Sequence, residues 1–137
     1  MSEPLTIVRI EGFAPSVAYG CGELAKLLGP YGKVDRLEEE VSADIWSDVR
    51  DARWLANPAD SAIWRLSLAP SKASGIVAHI GRVLDTRHFY DWGGGLVWLA
   101  VNASEDAGSK VIRDAMRGLN GHATLLRAPP QVRSKVD

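Results

Sequence analysis

Ala62-Ile63-Trp64-Arg65-Leu66-Ser67-Leu68 sets Trp64, Leu66 and Leu68 on one side and Ile63, Arg65 and Ser67 on the other. A period of two, rich in aromatic and β-branched residues, is the pattern of a strand that packs one face against a core. Pro70-Ser71 follows and opens a helix that carries Ile76, Val77, Ile80, Val83 and Leu84 at helical spacing. His88 to Trp92 and Leu96 to Val101 then read as strands joined through Gly93-Gly94-Gly95, since glycine accepts the positive φ of tight turns. Ser104-Glu105-Asp106 starts a further helix, the hydroxyl capping it and the acids facing the positive end of its dipole. That helix carries Val111, Ile112, Ala115, Met116 and Leu119, and Asn120-Gly121 stops it. Ala123 to Leu126 is the last strand. Residues 62–127 therefore run β-α-β-β-α-β, the split ferredoxin-like order.

Upstream, Leu5 to Gly12 alternates Thr6, Val8 and Ile10 against Ile7, Arg9 and Glu11, a half-buried strand pattern. Pro15-Ser16 opens a helix with Val17, Cys21, Leu24, Leu27 and Leu28 on one face, and Gly29-Pro30 ends it. Val34 to Leu37 reads as a short strand. Ser42 is the expected cap of another helix, with Ile45, Trp46, Val49 and Arg53 along one side. The expectation is one α+β domain over residues 1–137: a βαβα unit before the ferredoxin-like unit, a mainly antiparallel sheet, helices on one face, and a frayed tail at 128–137.

At 137 residues the chain has the length of one ordinary domain, able to bury about two-thirds of its unfolded surface. Sixteen Lys and Arg against 17 Asp and Glu leave a formal charge of -1, which gives no overall pull toward nucleic acid or anionic membrane. A single cysteine, Cys21, excludes an internal disulfide and a cysteine metal cage and fits a reducing cytosol. No run approaches a membrane span, and the first residues lack the basic and apolar regions of a signal peptide. Tryptophan is over-used: five, against three tyrosines and two phenylalanines.

Gly20-Cys21-Gly22-Glu23-Leu24-Ala25 matches the G-x-G-x-x-A dinucleotide fingerprint, but its glycines fall inside the expected helix and not in a strand-to-helix turn. Gly93-Gly94-Gly95 lacks the lysine and hydroxyl of a phosphate loop. It reads as a hairpin turn, with anion binding by its amides, or close approach of a flat ligand, as further options. His79, His88 and His122 lack the spacing of metal ligands, so no metal is expected. Cys21 on an apolar helix face reads as an inert core thiol. What remains is the sheet face opposite the core. There Arg65 and Ser67 place a cation and a hydroxyl side by side on a rigid strand, a pairing that suits a carboxylate or phosphate, although an arginine is equally at home simply solvated. Arg9 and Glu11 are candidates for the same face. Trp92 and Trp98, flanking the hairpin, read most simply as core aromatics, and strand-borne tryptophans also suit a planar ring or a partner domain.

The run Ile63-Trp64-Arg65-Leu66-Ser67-Leu68-Ala69-Pro70, followed by Asp91-Trp92-Gly93-Gly94, resembles the FAD-linked oxidases of the vanillyl-alcohol-oxidase type, in particular the FAD-binding chain of bacterial glycolate oxidase. Arg9-Ile10-Glu11-Gly12 and Ile45-Trp46 extend the resemblance over nearly the whole chain. It implies the C-terminal α+β domain that caps the flavin ring and shapes the substrate site. The N-terminal FAD-binding domain and the family's terminal Phe-Asp-Pro and Asn-Pro-Gly-Arg patterns are missing from this sequence. For the complete flavoprotein it implies oxidation of glycolate, or another small 2-hydroxy acid, to the 2-oxo acid, with FAD as cofactor. The partners it implies are the FAD-binding domain, a second flavin subunit and an iron-sulfur subunit, in a cytoplasmic complex or one peripheral to the membrane. The isolated chain is expected to be inactive and to bind FAD weakly or not at all. On this basis Arg65, Ser67 and Trp92 are the residues expected to face substrate or flavin, with catalytic residues unassigned. The alternative is a non-catalytic ferredoxin-like module that binds a small molecule or docks to other subunits. An RNA-recognition signature is absent.

Overall fold

The computed structural model describes residues 4–56, 61–102 and 105–136. In chain order the elements are helices α1 (Ala14–Leu28) and α2 (Glu39–Arg50), strand β1 (Ser61–Ser67), helix α3 (Pro70–Gly81), strands β2 (Thr86–Asp91) and β3 (Leu96–Asn102), helix α4 (Ser109–Met116), strand β4 (His122–Arg127) and a single-turn helix α5 (Pro130–Arg133). Short 3-10 turns occupy Gly29–Tyr31, Arg53–Leu55 and Trp92–Gly94. The chain divides into two compact units, Met1–Asp44 and Ile45–Asp137, with the boundary inside α2.

The second unit is α+β and ferredoxin-like. Its four strands form one sheet in the order β2-β3-β1-β4, antiparallel throughout. Strand β1, with the cleanest alternation in the sequence, lies in the middle of this sheet, where both of its faces are defined by neighbours. Ala62, Trp64 and Leu66 of β1 are buried with Val97, Leu99 and Val101 of β3, beneath Ala73, Val77 and Ile80 of α3 and Ile112 and Met116 of α4. Each large aliphatic side chain so enclosed contributes roughly 1.5–3 kcal/mol. Trp64 is fully enclosed, and its indole N–H donates to the Ala107 carbonyl at 2.9 Å. Arg113 of α4 lies over the same ring, 5.8 Å from its centre.

Local chemistry sets the element ends. Pro70, with its fixed φ and no N–H to satisfy, begins α3. The expected cap Ser104 lies outside the described residues; α4 starts later, at Ser109. The Asp106 carboxylate serves its N-terminus, accepting from the amides of Gly108 at 3.0 Å and Lys110 at 3.2 Å. The same helix stops at Met116, short of the expected Asn120-Gly121, and Gly118 takes a positive φ of 79°. Gly121 matters for a different reason. A Cβ there would stand 2.4 Å from the Ser67 carbonyl oxygen, so β4 enters beside β1 only over a bare backbone.

Three expectations are corrected. Leu5 to Gly12 and Val34 to Leu37 belong to no strand. An alternating pattern names the side chains a strand would bury, but a strand also needs an edge to pair with, and the described residues of the first unit contain no sheet. Arg9 and Glu11 accordingly lie outside the sheet and form an ion pair with each other. Next, α2 begins at Glu39, ahead of Ser42, with Glu39 and Glu40 in its first turn where they complement the dipole, and Arg53 falls in the following 3-10 turn. Finally, the segment after β4 is not a loose end among the described residues, because Ala128, Val132 and Val136 pack on the main core around α5.

Candidate functional site

The pleat that sends Trp64 inward sends its neighbours to the face that α3 and α4 leave uncovered. Directly opposed residues of antiparallel strands share a face, so the register arranges this surface in rows across the sheet. The middle row runs Phe89, Trp98, Arg65, Thr124. Toward the end of β1 the next row runs Asp91, Leu96, Ser67, His122; in the other direction it runs Arg87, Ala100, Ile63, Arg127. Arg65 and Ser67 are thus adjacent on the face opposite α3 and α4, where the alternation places them, and both are partly exposed.

This surface is not uniformly open. The Arg53–Leu55 turn brings Leu55 against Ile63 and Ala100, and Phe89 and Trp98 pack beside them. Phe89 stacks on Trp98 with ring centres 6.0 Å apart, and Trp54 meets the edge of Phe89 at 5.5 Å. Arg87 Nη2 donates to the Leu55 carbonyl at 3.3 Å and pins that turn. An apolar aromatic wall therefore stands along one side of Arg65, with Thr124 and His122 of β4 on the other side and Ser67 next along β1.

The electrostatics of the middle row are donor-rich. Among the described residues the Arg65 guanidinium has no ion pair or hydrogen bond, although carboxylates engage Arg9, Arg50, Arg53 and Arg117 elsewhere. Beside it the Trp98 Nε1–H is buried without an acceptor among the described residues. An unmet buried donor costs about 1–3 kcal/mol. Donors without acceptors next to a flat aromatic wall suit an acceptor-rich ligand such as a carboxylate or a heteroaromatic ring.

Trp92 does not join these rows. The sequence reads it as the last residue of a strand lining the Arg65 site, whereas it opens the 3-10 turn after β2, with φ of 51° and 79 % of its surface exposed. Its amide donates to Asp91 Oδ1 at 2.8 Å, and the glycines that follow fold the turn back toward Pro70. Trp98, Thr124, Phe89 and His122 escape the sequence reading as members of this site. Parity along β3 and β4 is a usable signal for them, but which residue stands opposite Arg65 depends on register.

Other candidates resolve simply. Gly20 and Gly22 lie within α1, and a Cβ on Gly20 would meet Ile10 Cδ1 at 3.3 Å, so close packing accounts for that glycine. Among the described residues no three His, Cys, Asp or Glu gather as metal ligands, and no helix is long and apolar enough to cross a membrane. On the opposite, helix-bearing side, a shallow groove of about 430 Å³ runs between α3 and β2, lined by Ser74, Val77, Arg82, Thr86, His88 and Tyr90. Partial burial there lowers the pKa of His88 and raises that of Tyr90. Compared with known proteins, the chain matches no family model, no curated protein and no solved structure.

Proposed function

We propose that this chain is the domain that covers the flavin ring and substrate site of an FAD-dependent 2-hydroxy-acid oxidoreductase acting on glycolate. The observation that carries this reading is Arg65, whose guanidinium has no partner among the described residues, in the middle row of the sheet face opposite α3 and α4. Its guanidinium would hold the substrate carboxylate, with the Ser67 hydroxyl beside it. The aromatic wall of Phe89 and Trp98 would shield that contact from water, which strengthens it.

The residues fit the ring end of such a cofactor and not its pyrophosphate end. The sequence match to a dinucleotide-binding glycine pattern is inside α1, where its amides are engaged in the helix. The ADP portion would accordingly be held by a separate FAD-binding domain, alongside second flavin and iron-sulfur subunits in a cytoplasmic complex. When bound, FAD would supply the two-electron acceptor for the hydride leaving the hydroxyl-bearing carbon. A fixed positive charge on Arg65 would favour the negative charge that develops on hydride arrival. Trp92, exposed on the hairpin, is a contact for that partner domain in this reading.

Arg65→Ala, assembled into the complete oxidase, should lower kcat/KM for glycolate by about a hundredfold, with Arg65→Lys recovering only part of the loss. Unchanged glycolate kinetics in the alanine variant would remove Arg65 from the site. The docking-module reading has one observation in its favour: none of the described residues 4–44 is buried, and Phe13, Tyr19 and Tyr31 are largely exposed. Capture of the chain by a separately expressed FAD-binding domain, with bound FAD protected from solvent, favours the oxidase reading. Capture that leaves the flavin as exposed as before favours docking alone.

A further inference from the structure

Strand β2 is an edge of the sheet, and among the described residues it pairs with β3 alone. An unprotected edge presents a row of backbone donors and acceptors, and proteins usually blunt such edges with proline, charged side chains, a bulge or a covering element. Thr86-Arg87-His88-Phe89-Tyr90-Asp91 contains neither proline nor lysine, and its pairing with β3 runs without a register shift. We propose that this edge is the interface for a second copy of the chain, β2 pairing antiparallel with its counterpart about a two-fold axis at Phe89 to make one continuous eight-stranded sheet.

The register follows from parity and charge. Backbone groups along β2 point alternately toward β3 and toward the free edge, so two copies can pair only with residues of like parity opposed. Centring the axis on Arg87 or on Asp91 sets like charges against each other, which destabilises a pair. Centring it on Thr86 overlaps only the first residues of the two strands, and centring it on His88 or Tyr90 leaves Asp91 without a basic partner. Centring it on Phe89 sets Arg87 opposite the partner's Asp91, twice by symmetry, and His88 opposite the partner's Tyr90. Both ionic groups keep capacity for this contact: Arg87 spends one donor on Leu55, and Asp91 uses Oδ1 for the Trp92 amide. The Trp54 and Phe89 rings of the two copies would then form one apolar seam across the axis.

The proposal does not depend on the role given to Arg65. Sedimentation equilibrium of the 137-residue chain should show a monomer–dimer equilibrium. Arg87→Asp and Asp91→Arg should each weaken dimerisation by about tenfold or more, and the double variant should return to within about threefold of the original. In a Cys21→Ser background, Phe89→Cys should oxidise to a covalent dimer. Arg87→Cys should not, because its two copies would lie about 13 Å apart along the strands. A chain that stays monomeric at its solubility limit, a dimer indifferent to both charge reversals, or cross-linking no faster at Phe89 than at Arg87 would each overturn the proposal.

Discussion

Trp64 and Arg65 are adjacent in the chain and occupy opposite environments, one enclosed beneath two helices and the other partly exposed on the face opposite them. One step along a pleated strand makes that difference, and it is legible in the sequence because β1 is central and its neighbours on both sides enforce the alternation. Gly121 reads as a helix stop, yet its decisive property is the 2.4 Å separation between a would-be Cβ and the Ser67 carbonyl. Gly121→Ala should therefore destabilise the protein by about 1–3 kcal/mol, read as a lower urea midpoint with unchanged m. A variant of unaltered stability would mean that β1 and β4 separate easily there. No local pattern announces such a contact, since its other half lies far back in the chain.

At the scale of the element, α3, β1 and β3 stand close to their sequence readings because each carries its own period and its own stop signals. Helix α4 does not, since its N-terminus depends on the Asp106 carboxylate, which reaches forward to accept from the amides of the left-handed Gly108 and of Lys110. Asp106→Ala should cost about 1 kcal/mol by thermal or urea unfolding, and Asp106→Asn should recover part of it, because an amide oxygen still accepts but carries no charge toward the dipole. Equal stability of all three proteins would show that the cap is dispensable. The strands expected at Leu5 to Gly12 and Val34 to Leu37 fail at this same scale, since alternation is a property of a segment and pairing is a property of two. The candidate site shows the matching contrast: Arg65 and Ser67 share one strand and are visible together in the sequence, while Trp98 and Thr124 reach them only through register.

Across the whole molecule, every buried residue among those described lies beyond α2's first half, from Val49 onward. A fragment spanning residues 39–137, which keeps α2 whole, should retain the near-ultraviolet dichroism of its tryptophans and unfold in one cooperative transition. A fragment with helical far-ultraviolet signal and no fixed aromatic signal would show that the first unit completes the core. The amino-acid order alone established the α+β class, the β-α-β-β-α-β succession and the inward and outward sets of the central strand, because periodicity and capping act over a few residues. Tertiary structure alone decided that the early segments form no strands, that the chain's end packs on the core, that Trp92 falls in an exposed turn after β2, and that Trp98 and Thr124 stand beside Arg65. Those outcomes rest on which distant groups meet, and contacts between distant parts of a chain leave no period in its sequence.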